Sequence, residues 1–387
     1  TQEPALLARA HLTLGESFYF LGEFAQARVY LEQGLTASDF QQLHLDSPAD
    51  FEIICLLYQA FILWYLGHPD QALQSAHQAF SVAQELSHFY TLVVVLDFAA
   101  LFHQLRREEH LTRERAEAAI SLATEHGVAM GVAWGTILRG WALTKQGQGE
   151  EGTAQLQQGL AAWQATGTEM NRPYYLALLA EAYGKAGQVT EGLTVVAEAL
   201  AVIEKTGERF WEAEVYRLKG ELTFAGARGW GLGTRPPSSQ ASSPKSQAPS
   251  GVEREVEACF HKAIAIAREQ KARSLELRAV VSLSRLWQSQ GKKKEARELL
   301  APIYGWFTEG FGTKDLQEAK ALLEELSDYF ACESIEKECI AALARTRVLS
   351  ASAILRGIMA RAVRASRDAP LRPRPEIGVE VLFRRCA

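Results

Sequence analysis

Residues 174–207 read YYLALLAEAYGKAGQVTEGLTVVAEALAVIEKTG, the pattern of two helices folded back on each other. Leu176, Leu179, Ala180 and Tyr183 fall at i, i+3, i+4 and i+7, which places them on one face of a helix. The segment Gly184-Lys185-Ala186-Gly187-Gln188 ends that helix, because glycine accepts the left-handed backbone of a tight helix exit. A second helix follows, with Leu193, Val196, Ala197, Leu200 and Ile203 expected on its inner side, and it stops near Thr206-Gly207. The unit is a helix–turn–helix hairpin.

The hairpin recurs in both directions. Gly67, Arg107, Gly147 and Gly187 stand 40 residues apart, and Gly251 and Gly291 resume the step. The interval from Gly187 to Gly251 is 64 residues, one period plus 24. A Pro/Ser/Gly-rich segment from Arg228 to Ser250 accounts for the excess. A fixed period of this length signals a solenoid, which grows by stacking hairpins rather than by adding globular domains. Around each turn, small residues recur where two helices approach closely. Seven residues before the turn stand Gly15, Ala60, Ala100, Gly140, Ala180, Gly220 and Ser284. Five residues after it stand Ala27, Ala72, Thr112, Gly152, Gly192, Val256 and Ala296, and seven further on Gly34, Ala79, Ala119, Gly159, Ala199, Ala263 and Ile303. The expected fold is therefore an all-α, right-handed superhelix of about seven hairpins.

This spacing of small residues, with an aromatic residue four before the turn at Phe18, Tyr183 and Trp287, resembles the tetratricopeptide repeat. The wording of residues 172–188 (RPYYLALLAEAYGKAGQ), 208–222 (ERFWEAEVYRLKGEL) and 290–311 (QGKKKEARELLAPIYGWFTEGF) is similar to the C-terminal repeat region of large bacterial signalling ATPases. In those proteins a nucleotide cyclase, kinase or DNA-binding module often precedes a P-loop ATPase, which precedes the repeats. The resemblance covers roughly residues 1 to 330. It implies a regulatory arm that binds a peptide, a neighbouring domain or an effector, in a bacterial, cytoplasmic setting. The alternative it leaves open is the small-molecule sensor of a transcriptional activator. The chain opens inside helical patterning, so it is expected to begin partway along a longer protein.

Composition is compatible with that reading. Of 387 residues 48% are hydrophobic and 22% charged, enough for a packed core. The net charge of −5 gives the repeats no electrostatic reason to bind nucleic acid. Cys55, Cys259, Cys332, Cys339 and Cys386 are odd in number and scattered, which indicates neither a disulfide framework nor a zinc site. The longest apolar run, Thr91 to Phe102, is too short to span a bilayer and contains Asp97, so it reads as a buried helix.

Two segments break the register. Residues 228–250 have no apolar period and read as a flexible insertion within the sixth hairpin, either a tolerated loop or a phosphorylation loop. From Arg345 to Ala387 there are ten arginines, no lysine and three acidic residues, a charge of +7 against −12 for the rest. This Arg-rich tail, residues 331–387, admits three readings: a basic amphipathic helix over 349–363 that meets an anionic surface, a capping helix followed by disorder, or a frameshifted C-terminus.

Catalytic, cofactor and metal signatures are sparse in the sequence. Gly147-Gln148-Gly149-Glu150-Glu151-Gly152 matches GxGxxG, yet a dinucleotide site needs a preceding strand, and here a helix precedes. No GxxxxGK[ST], HExxH or GxSxG occurs in the sequence. His103 and His110 flank the Arg107 turn without a third ligand. No catalytic residue, cofactor or metal is assigned. What remains is the inner surface, lined in tetratricopeptide arrays by the first helix of each pair. Repeat counting places Trp64, Asp97, Gln104, Trp141, Lys145, Tyr174, Glu181, Lys185, Arg217, Glu221, Arg278 and Arg285 there. Lys145, Lys185, Arg217 and Arg285 are either a cationic line for a carboxylate or acidic peptide, or the partners of Glu181 and Glu221 in inter-repeat ion pairs.

Overall fold

Helices pair off in chain order in the computed structural model, which describes residues 3–36, 48–86, 88–229 and 251–327. The seven hairpins are α1 (Glu3–Phe20) with α2 (Phe24–Thr36), α3 (Pro48–Leu66) with α4 (Pro69–Leu86), α5 (Phe89–Leu105) with α6 (Glu109–Glu125), α7 (Ala129–Lys145) with α8 (Gly149–Ala165), α9 (Arg172–Lys185) with α10 (Val189–Thr206), α11 (Glu212–Arg228) with α12 (Gly251–Glu269) and α13 (Arg273–Ser289) with α14 (Lys293–Trp306). A further helix, α15 (314–327), follows. No strand occurs among the described residues. The compact unit built from these helices ends at Leu326. The insertion at 230–250, the tail at 331–387 with its expected helix, and Cys332, Cys339 and Cys386 lie outside the described residues.

One turn geometry repeats down the array. Gly22, Gly67, Gly147, Gly187 and Gly291 have φ between 76° and 92°, and Arg107 takes the same left-handed position at 62°. In each case the next amide reaches back to the carbonyl five residues earlier: Glu23 to Phe18, His68 to Leu63, Glu108 to His103, Gln148 to Leu143, Gln188 to Tyr183 and Lys292 to Trp287, at 2.8–3.0 Å. These bonds satisfy carbonyls that a helix end leaves orphaned, and they need a residue that tolerates positive φ. The turns between hairpins also take positive φ at Gly127, Gly167 and Gly207, offset from the first series by 20 residues, and at Gly127 the Val128 amide again reaches back five residues, to the Ala123 carbonyl at 2.8 Å. Each helix plus its turn is thus one half-period. The GxGxxG match resolves accordingly: Gly147 closes α7 and Gly149 opens α8.

The small residues sit where the backbones meet. A Cβ on Gly140 would lie 2.8 Å from the Gly152 carbonyl oxygen, and one on Gly152 would lie 2.6 Å from that of Gly140 and 2.7 Å from the Thr144 nitrogen. A Cβ on Gly159 would lie 2.9 Å from the Ile137 nitrogen. Backbone cannot yield as a side chain can, so glycine is required there. On α10 the inner face carries Val196, Ala199 and Ile203 buried with Leu193 and Leu200 half-buried, whereas Ala197, expected inside, is exposed.

The tips of the first three hairpins dock on the last ones. Gly22 lies against Gln270, whose Nε2 donates to the Arg209 carbonyl at 2.8 Å, and the Arg209 amide donates to the Phe20 carbonyl at 2.7 Å. Gly67 lies against Arg273, Trp306 and Phe307, and Ser274 Oγ donates to the Trp64 carbonyl at 2.5 Å. Glu309 caps the start of α4, its Oε1 accepting from the Asp70 and Gln71 amides at 3.2 and 3.3 Å, while Asp70 Oδ2 accepts from the Gly310 amide at 2.9 Å. At the third tip, Arg107 pairs with Asp315 at 3.1 Å and Glu318 at 2.8 Å. The Gly147, Gly187 and Gly291 tips meet no such partner within 4 Å of a would-be Cβ.

Candidate functional site

Closure divides the inner surface into a filled part and a hollow part. On the filled side aromatic rings pack edge and face. Tyr19 stacks on Phe210 at 5.1 Å, Phe24 on Tyr65 at 4.2 Å, and Tyr174 meets Trp211 edge-on at 5.2 Å. Trp64 and Tyr174, expected to line a groove, are here 2% and 0% exposed. Trp64 stacks beneath the Arg278 guanidinium at 4.9 Å, and the Tyr174 hydroxyl donates to Gln104 Oε1 at 2.6 Å. Both fill the interior where the docked hairpins meet, a position that only closure creates. Asp97 is also away from the inner surface. It is 1% exposed, its carboxylate rests against the Gly131 and Gly135 backbones of α7, and its Oδ1 has no partner. Burial raises its pKa well above the usual carboxylate value.

The hollow part is a cavity of about 670 Å³. The other nine expected residues line it together: Gln104, Trp141, Lys145, Glu181, Lys185, Arg217, Glu221, Arg278 and Arg285. They come from α5, α7, α9, α11 and α13, the first helices of successive hairpins. α15 closes the circle with Lys314, Asp315 and Glu318, and the Arg107 turn adds Arg107 and Glu109. Trp211, Leu218, Phe224 and Phe260 give the wall apolar patches between the charges.

The charges are interlocked. Lys145 pairs with Glu181, to which Trp141 Nε1 also donates at 3.1 Å. Arg217 holds Glu214 at 2.6 Å and also pairs with Glu221. Arg278 donates to Asp315 at 2.9 Å and to the Leu105 carbonyl at 2.5 Å. Arg285 reaches Glu318 at 3.7 Å, and Lys314 pairs with Glu109. These bonds explain the acidity of the wall. Burial alone pushes the Glu181 carboxyl up, but Lys145, Lys185 and Arg217 outweigh it and hold it at about 2. Burial of Glu214, Asp315, Glu318 and Glu109 is likewise outweighed by their arginine and lysine partners, and their pKa values are lowered. The wall is cross-linked by these charge-assisted contacts. Of the two sequence alternatives for these side chains, inter-repeat ion pairing describes Lys145 with Glu181, whereas Arg217 pairs with Glu214 and Glu221 of its own helix, Arg285 reaches Glu318 of α15, and Lys185 is in none of these pairs.

Lys185 also lines the cavity, and among the described residues it has no carboxylate within 4 Å. Partial burial and the neighbouring Lys145 hold its ammonium down at about 8. Elsewhere the remaining sequence candidates are ordinary structural groups. His103 Nδ1 binds Glu108 at 2.6 Å, and His110 Nδ1 meets Gln146 Nε2 at 3.3 Å. No group of three metal-ligating side chains occurs among the described residues. No helix among them is long and apolar enough to cross a membrane.

Several lining residues escaped the sequence reading. Arg107 carried a signal, since it replaces glycine at a turn position of the 40-residue series. Asp315 and Glu318 carried none, because they lie past the last hairpin and reach the site only through closure.

Comparison with known proteins agrees with the repeat pattern. Residues 8–33 match the family model of the tetratricopeptide repeat. An uncharacterized protein of Rhizobium meliloti (strain 1021) is 25% identical over 226 residues, which cover 57% of this chain and 22% of that protein. The chain thus spans about a fifth of the length of that relative. A Rap protein complexed with competence and sporulation factor superposes with a TM-score of 0.54 at 13% identity, covering 94% of this chain and 99% of that one. NprR in complex with its cognate peptide NprX gives 0.52 at 10% identity, covering 88% and 89%. At such identities the likeness is one of fold, and with the matched repeat it makes this chain an all-α solenoid of tetratricopeptide type.

Proposed function

We propose that the chain is a non-catalytic regulatory region that takes a peptide or small effector into the cavity within its solenoid. The observation that carries this reading is the cavity itself: about 670 Å³, walled by charged side chains from five successive hairpins and α15. An occupant there touches repeats that are far apart in sequence, so its binding energy bears directly on how the array closes. The fold likeness supports a peptide, since the Rap and NprR structures hold a factor and a cognate peptide respectively. The phrase-level resemblance of residues 172–188, 208–222 and 290–311 supports a parent of the bacterial signalling ATPase or nucleotide cyclase kind, acting in the cytoplasm. In that setting the upstream modules are the recipients of the signal.

The metabolite sensor of a transcriptional activator is the second reading, favoured by the size of the cavity, about 670 Å³. One experiment addresses both. Pooled random hexapeptides and a metabolite library are screened by thermal shift against the chain and against two cavity-filling variants, Ser289→Trp and Ala225→Phe. A ligand that stabilises the parent and not the filled variants is the expected outcome, and its class chooses between the readings. Hits that bind the filled variants equally well, or no hit from either library, would remove the cavity as the site.

A further inference from the structure

We propose that Glu208 is a proton-operated switch for the first hairpin: with its carboxyl protonated the α1 tip stays seated on the connector between the fifth and sixth hairpins, and ionisation releases that tip. The inference stands apart from the cavity reading, since none of the residues lining the cavity belongs to α1 or α2.

Residues 207–211 form a junction rather than a simple link. The Arg209 amide donates to the Phe20 carbonyl at 2.7 Å, and the Phe210 amide reaches the same oxygen at 3.3 Å. The Phe210 ring stacks on Tyr19 at 5.1 Å and meets Phe20 edge-on at 5.9 Å. From the other side Gln270, in the turn before α13, donates to the Arg209 carbonyl at 2.8 Å. Glu208 sits within this junction. Its Oε1 accepts from the amide of Asn171, just before α9, at 2.8 Å, and its own amide donates to Thr206 Oγ1 at 3.2 Å. The α1 tip, the start of α9 and the turn before α13 therefore converge on one short segment.

What faces the carboxyl is aromatic. Tyr19 of α1, Tyr58 of α3 and Tyr175 of α9 are buried, and burial first, with the Glu208 charge as a lesser cause, holds their hydroxyls above the usual tyrosine pKa. No cation pairs with Glu208 among the described residues: Arg209, next in sequence, turns to Glu212 at 2.7 Å and Glu269 at 3.6 Å. An ionised carboxylate there has one backbone donor and no counter-charge, and burial lifts its pKa to about 7 against that donor. Water reaches it when one of the three covering elements moves. α3 and α9 each have hairpins on both sides. On the outer face of α1 no hairpin packs among the described residues, and Leu6 is 65% and Leu7 52% exposed there. α1 is the element that yields, and its tip is held by the segment that carries the charge.

The direction of the switch follows from proton linkage. A carboxyl held at about 7 while docked and at 4.5 once hydrated favours the seated tip at low pH, and that advantage is lost as the pH rises from about 4.5 to 7. Between pH 5.5 and 7.5 the opening constant rises about twentyfold, and above that it levels off.

Hydrogen exchange on the full chain reads the opening at the Arg209 amide, as a protection factor corrected for intrinsic exchange chemistry. That factor is expected to fall about twentyfold from pH 5.5 to 7.5, and to lie below the factors of interior α7 amides. Glu208→Gln keeps an acceptor for the Asn171 amide and has no proton to lose, so its profile is expected to be level, at or above the parental value at pH 5.5. Glu269→Gln, which removes an exposed partner of Arg209, is expected to retain the fall. A flat profile in the parent, a fall that persists in Glu208→Gln, or a fall that disappears in Glu269→Gln overturns the switch. An Arg209 amide as protected as the α7 interior at every pH overturns it too, because then global unfolding alone frees the tip.

Discussion

Arg107 holds a left-handed backbone, φ 62°, at a position where five other hairpins of this array use glycine. A residue with a Cβ pays roughly 1 kcal/mol for that conformation. Its guanidinium, paired with Asp315 and Glu318, is what glycine cannot supply. Comparing two variants separates these effects. Arg107→Ala loses the ion pairs and keeps the strain; Arg107→Gly loses the ion pairs and removes the strain. Chemical denaturation is expected to rank parent above Arg107→Gly above Arg107→Ala, the last two differing by about 1 kcal/mol. Glu208 is strained electrostatically instead. It is 8% exposed, and burial pushes its carboxyl up to about 7 although the Asn171 amide donates to its Oε1 at 2.8 Å. The folded pKa exceeds the unfolded one, so the folded state binds the extra proton and stability falls as pH rises from about 4.5 to 7. Glu208→Gln keeps the acceptor and discards the charge. It is expected to raise stability by on the order of 2–3 kcal/mol at pH 8, a gain that shrinks as the pH is lowered toward 4.5. An equal effect at both ends of that range would show that burial does not raise the Glu208 pKa within the fold.

At the scale of the element, the hairpin is specified by a glycine pair and a turn. Gly140 and Gly152 bring α7 and α8 into backbone contact, each within 2.8 Å of the other's carbonyl oxygen once a Cβ is added. Gly152→Ala is therefore expected to destabilise by about 1–3 kcal/mol, through overpacking that neither helix can relax without separating. Gly149, in the first turn of α8, has nothing within 4 Å of a Cβ, and Gly149→Ala is expected to be neutral or slightly stabilising. Equal losses from the two substitutions would point to helix propensity rather than to contact. Because contacts in a solenoid are to neighbours, damage at this pair should first loosen the α7–α8 hairpin.

At the scale of the whole unit, closure adds what neighbour contacts do not. Asp315 receives both Arg107 from the third tip and Arg278 from α13. Removing it leaves two arginines near one another without their shared carboxylate, one of them almost fully buried, at a cost of about 3–5 kcal/mol. Hydrogen exchange on Asp315→Ala is expected to accelerate around the docked tips at Gly67 and Arg107 and to leave the undocked tips at Gly147 and Gly187 at parental rates. Uniform acceleration along the array would mean that the docking contacts do not act as a latch. Glu181 adds a pH signature to the cavity. Its folded pKa of about 2 lies below the unfolded value, so its contribution is present above about pH 4.5 and is lost as the pH falls toward 2. Lys145→Met should abolish that acid-side loss and lower stability at neutral pH, both readable from denaturation curves across the range.

Hairpins, turns, small-residue contacts and the helix face that looks inward were all legible in the chain, because each depends on residues within one 40-residue period. Nine of the twelve side chains counted onto the inner face meet around one cavity for the same reason: a repeat places equivalent positions on equivalent faces. Trp64 and Tyr174 fell on that face too, yet closure turned their part of it into packed interior. Asp97 went the other way, toward α7, because Gly131 and Gly135 leave room there. The sequence by itself determined the hairpin and its repetition. Only the tertiary structure decided that early tips seat on late hairpins and that Asp315 and Glu318 join the wall. Periodicity records contacts between neighbours, and a contact between residues more than 200 apart, such as Arg107 with Asp315, leaves no period to read.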